Sequence, residues 1–444
     1  MYCGYIKFLI VLIYVILLFI ILILFVLLFV FFIGQRVYIF SFKFFFLQFF
    51  SEFETLFNLW RFMFLFIVLI IRTSVLFFSC SYISSYNVQN FLMLYVSFIV
   101  RMAWLILNNN FYWIIFGWDG LGVVSFLLIV FYINYERVSN GLFTIFQNRI
   151  GDVFFVLFLV GLFDLSIWSH LVLNWWVVFL IVGASVKRAQ FPFNSWLLAA
   201  ISAPTPISSL VHSSTLVVAG VYILLQFNYC LLDCLVYLKW LRVLTLFISL
   251  FGLLNETDIK KLIAFSTINH VALMIFILRL ELFKITYFHL NIHAIFKSLI
   301  FICFGFVILC SYHSQDKRLV RLLYLNPIIK IIYNFSCLCL IGLPFLRGFF
   351  SKDFIIEKSI EIRGEMIGVF FLIFFLGVRI YYSFKLLQLN RVLFTYFFIE
   401  KQWVGLLRIF IIIRVRICLV NLYISLRLKR LLFRNYSQLM LREG

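Results

Sequence analysis

Charge is what this 444-residue chain has least of. Asp, Glu, Lys and Arg together make up 12% of it, while apolar residues make up 65%; a soluble domain carries about 25% and about 45–50% respectively. A water-soluble globule is excluded, and with it a soluble catalytic domain. Proline is nearly absent too, at five residues, and no linker rich in Pro, Gly or Ser divides the chain. The nine cysteines form no zinc or disulfide framework: Cys230 with Cys234, and Cys337 with Cys339, lack a second pair at ligand spacing. Zinc and iron–sulfur chemistry therefore have no evident cysteine ligand set.

What is present is long apolar sequence. Phe8–Gln35, Thr73–Val100, Met102–Trp118, Leu165–Val186, Ala189–Leu232 and Ser298–Gln315 contain no charged residue, and about 20 apolar residues span a bilayer as a helix. Spanning segments are predicted at 8–33, 56–80, 83–107, 111–133, 142–164, 171–190, 204–227, 235–255, 260–279, 285–312, 325–347, 365–389 and 392–420. The expected class is all-α, a polytopic transmembrane bundle forming a single membrane domain over 1–444. A β-barrel would need alternating segments of about ten residues, and the 26 residues Phe8–Ile33 are apolar on every side. At that length they also exceed the about 7–15 residues of an export signal core, so the segment is read as the first spanning helix.

The net charge of +20 would suggest nucleic acid in a soluble protein. Here it fits basic helix ends on anionic head groups, cardiolipin being one candidate. Nucleic acid is not expected as a partner. The basic excess concentrates in 391–444, readable either as a last helix with an interfacial end or as a lateral surface helix.

Two prolines fall late in or just after apolar segments, Pro192 in Lys-Arg-Ala-Gln-Phe-Pro-Phe and Pro344 in Ile-Gly-Leu-Pro-Phe-Leu-Arg-Gly. A Pro in a helix removes a backbone bond and clashes with the preceding turn, so both segments are predicted to be discontinuous. Broken helices in corresponding halves of a transporter mark ion pathways. Ionisable residues in the same regions are costly, at roughly 2.5–3.5 kcal/mol for a Lys or Asp at a helix centre. Asp119 has seventeen uncharged residues before it and sixteen after. Lys187 closes an uncharged run, and His212 is the one imidazole in the next. His289, His293 and Lys297 are spaced i, i+4, i+8 and share one helix face. For Asp119 the bland reading is a position at the interface. For the histidine pair the alternatives are a structural pair, two metal ligands without an evident third, or a proton relay. Burial drives a lysine towards its neutral form, a nearby carboxylate restores the charge, and imidazole passes protons near neutral pH. Proton coupling is the sharp hypothesis.

The ordered motifs then become specific. They are Gly117-Trp118-Asp119-Gly120-Leu121-Gly122; Arg149-Ile150-Gly151-Asp152; Lys187-Arg188-Ala189-Gln190-Phe191-Pro192-Phe193; Ala203-Pro204-Thr205-Pro206 through His212-Ser213-Ser214-Thr215; Asp258-Ile259-Lys260-Lys261; His289 through Lys297; and Gly348-Phe349-Phe350-Ser351-Lys352-Asp353. In this arrangement the chain resembles the subunit 5 family of NADH:ubiquinone oxidoreductase, antiporter-like membrane subunits of respiratory complex I, over roughly residues 100–390.

The resemblance implies N-terminal helices over 1–88, inverted five-helix repeats over 89–227 and 235–390, and the basic tail over 391–444. It implies that Asp119 and Lys187 form a carboxylate–lysine pair modulated by Arg149 and Asp152. His212 would link that pair to a relay of His289, His293 and Lys297, with Lys352 and Asp353 on the exit side. It further implies neighbouring antiporter-like and accessory subunits as partners. No cofactor is expected on this chain; NADH, FMN, iron–sulfur clusters and ubiquinone would belong to other subunits. Proton translocation across the mitochondrial inner membrane is the expected function, the organelle being suggested by 61 Phe among many Ile and Leu.

Departures from the family pattern are Asp rather than Glu at position 119, Arg188 beside Lys187, and His270 where the family tends to have Gln. Roughly 90 residues follow Lys352, where the family has several more helices and a long lateral one; that part is expected to be shortened, missing or supplied by another chain. The rival functions are a stand-alone Na⁺/H⁺ antiporter subunit of the same fold, a haem protein with His pairs on facing helices, and a scaffold whose buried charges are structural.

Overall fold

The computed structural model describes residues 38–42, 53–83, 88–164, 170–211, 215–228, 235–311, 315–316, 327–343, 346–361, 377, 380–384 and 386–387. The expected spans at 8–33 and 392–420, most of that at 365–389, and the residues His212 and Pro344 lie outside them.

Helices dominate. In chain order they are α1 (Leu59–Tyr82), α2 (Val88–Leu107), α3 (Phe111–Ile129), α4 (Tyr135–Asp164), α5 (His170–Lys187), α6 (Ser195–Ala200), α7 (Thr205–Leu210), α8 (Leu216–Gln226), α9 (Leu235–Asn255), α10 (Ile259–Arg279), α11 (Phe283–Cys310), α12 (Pro327–Ile341) and α13 (Arg347–Glu361). Among the described residues, six helices (α1, α2, α3, α4, α10 and α11) are long and apolar enough to cross a bilayer. The all-α membrane class holds, and the protein is multi-pass. The addition is a short antiparallel pair, β1 (Tyr38–Phe42) with β2 (Phe53–Phe57), in register from Tyr38 opposite Phe57 to Phe42 opposite Phe53. Segments of five residues are too short to separate strand from helix by periodicity, which is why the pattern did not announce them.

Sequence neighbours pack as antiparallel pairs, most extensively α2 on α3, α4 on α5 and α9 on α10, while α11 touches α1, α7, α10 and α13. α10 and α11 are the most deeply enclosed of the spanning helices. Where helices end, side chains take up the exposed carbonyls that a terminus leaves. Arg61 donates from Nη1 to the Leu107 and Asn108 carbonyl oxygens, at 3.1 and 3.2 Å, closing the end of α2. Tyr222 donates to the Ile106 carbonyl at 3.0 Å.

Three helices are stopped by a residue in left-handed backbone. α5 finishes with the Gln190 N–H on the Ser185 carbonyl at 3.0 Å and the Ala189 N–H on the Val186 carbonyl at 3.1 Å, while Ala189 has φ 52°. This is a Schellman motif with a left-handed residue at C′. It ends the helix before Pro192, which lies exposed in the following turn. α10 ends the same way: Leu282 bonds to Ile277 at 3.3 Å and Glu281 to Leu278 at 3.0 Å, with Glu281 at φ 60°. α12 ends in the simpler left-handed form, Gly342 at φ 82° bonding to the Leu338 carbonyl at 3.1 Å. Within the segment expected as one span at 204–227, α7 and α8 are described on either side of residues 212–214, which lie outside the described residues, and the Thr215 hydroxyl donates to the Leu210 carbonyl at 2.7 Å.

Candidate functional site

Two clusters of ionisable side chains lie inside the bundle. The first is made by α3, α4 and α5. Gly151 and Gly183 let α4 and α5 approach closely: a Cβ on Gly183 would stand 2.9 Å from the Gly151 carbonyl oxygen, and one on Gly151 would stand 2.9 Å from the Val186 side chain. Small residues at such crossings are how membrane helices bring their backbones together. This one brings the residue after Gly151 to the end of α5, and Lys187 Nζ lies 3.2 Å from Asp152 Oδ1. The ammonium also donates to the Trp118 carbonyl oxygen at 2.8 Å and lies 4.4 Å from the centre of the Trp118 ring. Trp118 is itself fixed by stacking on Phe155 at 5.3 Å.

Lys187 is almost fully enclosed, its side chain 1% exposed, against 9% for Asp152. On the other side of Asp152 lies Arg149, whose Nη1 is 3.5 Å from Asp152 Oδ2 and 3.4 Å from Asp119 Oδ2. The four charges therefore alternate: Lys187, Asp152, Arg149, Asp119. The chain runs from an enclosed end to a half-exposed one, since Asp119 is 37% and Arg149 48% exposed.

This ordering differs from the expectation that Asp119 is the direct partner of Lys187. The direct ion pair is with Asp152, and Asp119 meets Arg149. The glycine crossing of α4 on α5 is the physical reason. Arg188, the second cation expected beside the pair, is fully buried. Its Nε donates to the Ala184 carbonyl at 3.0 Å, and its stem lies against Gly220 of α8.

The second cluster is built by α10, α11, α12 and α13. Because α10 and α11 are antiparallel across the tight turn at 280–282, the early part of one faces the middle of the other. Lys297 of α11 donates to the Ser266 hydroxyl of α10. One turn along, the His270 ring on α10 lies 5.4 Å from the His293 ring and 5.7 Å from the His289 ring. His289 Nδ1 is 3.0 Å from the Ser351 hydroxyl of α13. Next in sequence, Lys352 donates to the Leu340 carbonyl, and to that of Ile341 at 3.1 Å, at the end of α12.

Lys297, His270, His289, His293 and Lys352 are all buried, and Asp353 is exposed. The ammonium of Lys352 sits where a helix terminus presents orphan carbonyls and negative dipole charge. Gly342 makes this possible, since a Cβ there would meet Lys352 Cδ at 3.2 Å and Nζ at 3.3 Å. Pro344 lies between α12 and α13 in sequence, outside the described residues. The break around it is marked by the end of α12 at Ile341 and the start of α13 at Arg347.

Sequence reasoning did not find Ser266, Ser351 or the Trp118 carbonyl. The two serines were findable: Ser266 is four residues before His270 on a helix face, and Ser351 precedes Lys352. A backbone carbonyl leaves no such trace.

With this geometry in place, the likeness to known proteins is specific. Residues 108–378 match the family described as NADH:quinone oxidoreductase/Mrp antiporter, transmembrane. The chain is 39% identical over 334 residues to NADH-ubiquinone oxidoreductase chain 5 of Locusta migratoria, covering 72% of this chain and 58% of that one. It is also 39% identical over 316 residues to that of Anopheles arabiensis, covering 68% and 82%, and 36% identical over 333 residues to that of Lumbricus terrestris, covering 71% and 57%. It spans 58–60% of the length of the insect relatives from Locusta, Anopheles gambiae and Aedes. The fold is shared with a chain of the membrane-bound sulfane sulfur reductase, an archaeal respiratory membrane complex, with TM-score 0.79, 19% identity, and coverage of 90% of this chain and 87% of that one. It is shared too with a chain of the Mrp complex of a Dietzia species, with TM-score 0.69, 22% identity, and coverage of 80% and 42%. The chain belongs to the NADH:quinone oxidoreductase/Mrp antiporter family, among the NADH-ubiquinone oxidoreductase chains 5.

Proposed function

We propose that this chain is a proton-translocating, antiporter-like subunit of respiratory complex I in the mitochondrial inner membrane. Electron transfer from NADH to ubiquinone, with its FMN and iron–sulfur clusters, is the work of other subunits, and this chain binds none of those groups. Its partners are neighbouring antiporter-like and accessory subunits and anionic lipids such as cardiolipin.

The observation that carries the reading is the enclosed ammonium of Lys187, 3.2 Å from Asp152, at the inner end of an alternating charge chain whose outer end is Asp119. Taking a charge out of water is expensive unless it is paired, so the protonation of Lys187 depends on where the negative charge of Asp152 is directed. When Arg149 holds that charge, the ammonium loses its stabilisation and releases a proton. When Arg149 turns to Asp119, the lysine takes one up. The second cluster supplies stations onward: Lys297 with Ser266, the imidazoles of His289 and His293, and Lys352. His212 lies in the sequence between α7 and α8, and in this reading it joins the two clusters.

The other reading, a stand-alone cation/proton antiporter subunit, is favoured by the fold shared with the Mrp complex. Migration of the native protein in a mild-detergent gel separates the two. A large band that oxidises NADH supports the complex I reading. A small band without flavin or iron supports the antiporter and overturns it.

A further inference from the structure

We infer that His270 is an additional proton-carrying station, a third imidazole that carries protons between Lys297 and His289 in parallel with His293. The inference rests on the relay proposed above and names a residue that relay does not need. His270 sits on the helix opposite the other two, and its ring is 5.4 Å from that of His293 and 5.7 Å from that of His289. All three are buried. Two imidazoles whose centres are this far apart have edges within reach of a direct contact or of one bridging water. The groups that face His270 are the two imidazoles of α11 and, one turn back on its own helix, Ser266 carrying the Lys297 ammonium. Ser351 of α13 holds the far side of His289.

The step balances without any co-reactant. A protonated donor ring gives up one N–H proton to the lone pair of the acceptor ring and becomes neutral. The acceptor becomes the imidazolium and passes a proton on from its other nitrogen. The neutral donor is then reset by the proton it receives from the preceding station. Glutamine at this position keeps a hydrogen-bonding amide but cannot carry the proton.

A structural role and a carrier role differ in how substitutions combine, because independent losses multiply and a bypass makes them synergistic. The test is the proton-to-electron ratio of the assembled enzyme in sealed vesicles, measured for His270→Gln, His293→Gln and the double variant. Each single variant lowers the share of the ratio that Lys187→Ala removes by no more than about threefold, and the double lowers that share by more than about thirtyfold, against the roughly ninefold expected of independent losses. A double variant with only the product of the single losses overturns the inference and leaves the relay standing. If Lys187→Ala, run in parallel, also pumps normally, the underlying relay falls with it.

Discussion

A lysine ammonium shut away from water must be compensated nearby, and Lys187 has one carboxylate within ion-pair distance, Asp152 at 3.2 Å. Breaking such a pair from one side costs about 3–5 kcal/mol, while removing both partners together is often close to neutral. Asp152→Asn is therefore expected to lower the heat-denaturation midpoint of the assembled complex, and the double variant Asp152→Asn with Lys187→Met is expected to recover most of that loss without recovering proton pumping. A midpoint unchanged in the single variant would mean that Asp152 does not carry the pair. At the other end of the charge chain, Asp119 is 37% exposed, and an exposed ion pair contributes about 0–1 kcal/mol. Asp119→Ala should accordingly cost no more than about 1 kcal/mol of stability and leave the midpoint nearly unchanged while lowering proton translocation, a separation read by running both assays on one preparation. The sequence made Lys187 and the face shared by His289, His293 and Lys297 legible, because charge in a long apolar run stands out. Which carboxylate touches the lysine was not legible, because that depends on a glycine-to-glycine crossing between two helices.

Helix ends carry much of the positioning. Glu281 and Gly342 both occupy left-handed backbone, at φ 60° and 82°, where a residue with a Cβ pays about 1–2 kcal/mol. Glu281 is exposed and outside both clusters, so Glu281→Gly is expected to raise the heat-denaturation midpoint and leave pumping alone. Gly342→Ala meets the same backbone cost and in addition crowds Lys352, whose Nζ would stand 3.3 Å from the new Cβ. It is expected to lower both the midpoint and the pumping rate. Loss of stability with full pumping would detach Lys352 from the pathway. Most spanning segments were readable from apolar run length to within a few residues, as 235–255 and 260–279 illustrate against α9 and α10. The break near Pro192 was also readable, but the cause was not: the helix ends at Lys187 through backbone bonds around Ala189, ahead of the proline. The β1–β2 pair was hidden, since five residues are too few to show a period.

At the scale of the whole molecule, the helices of the two charge clusters are joined through α8, which packs on α5 on one side and on α10 and α11 on the other. That continuity is what a proton path through the bundle needs, with apolar helices on either side keeping the charges from water. In the proposed function this chain is coupled at a distance to electron transfer on other subunits, so its contribution would appear as protons moved per electron and not as NADH oxidised. The decisive measurement is therefore the proton-to-electron ratio of the assembled enzyme carrying Lys187→Ala, in sealed vesicles with NADH supplied outside. The account predicts an assembled, NADH-oxidising complex whose ratio is lowered; an assembled complex with an undiminished ratio would contradict it.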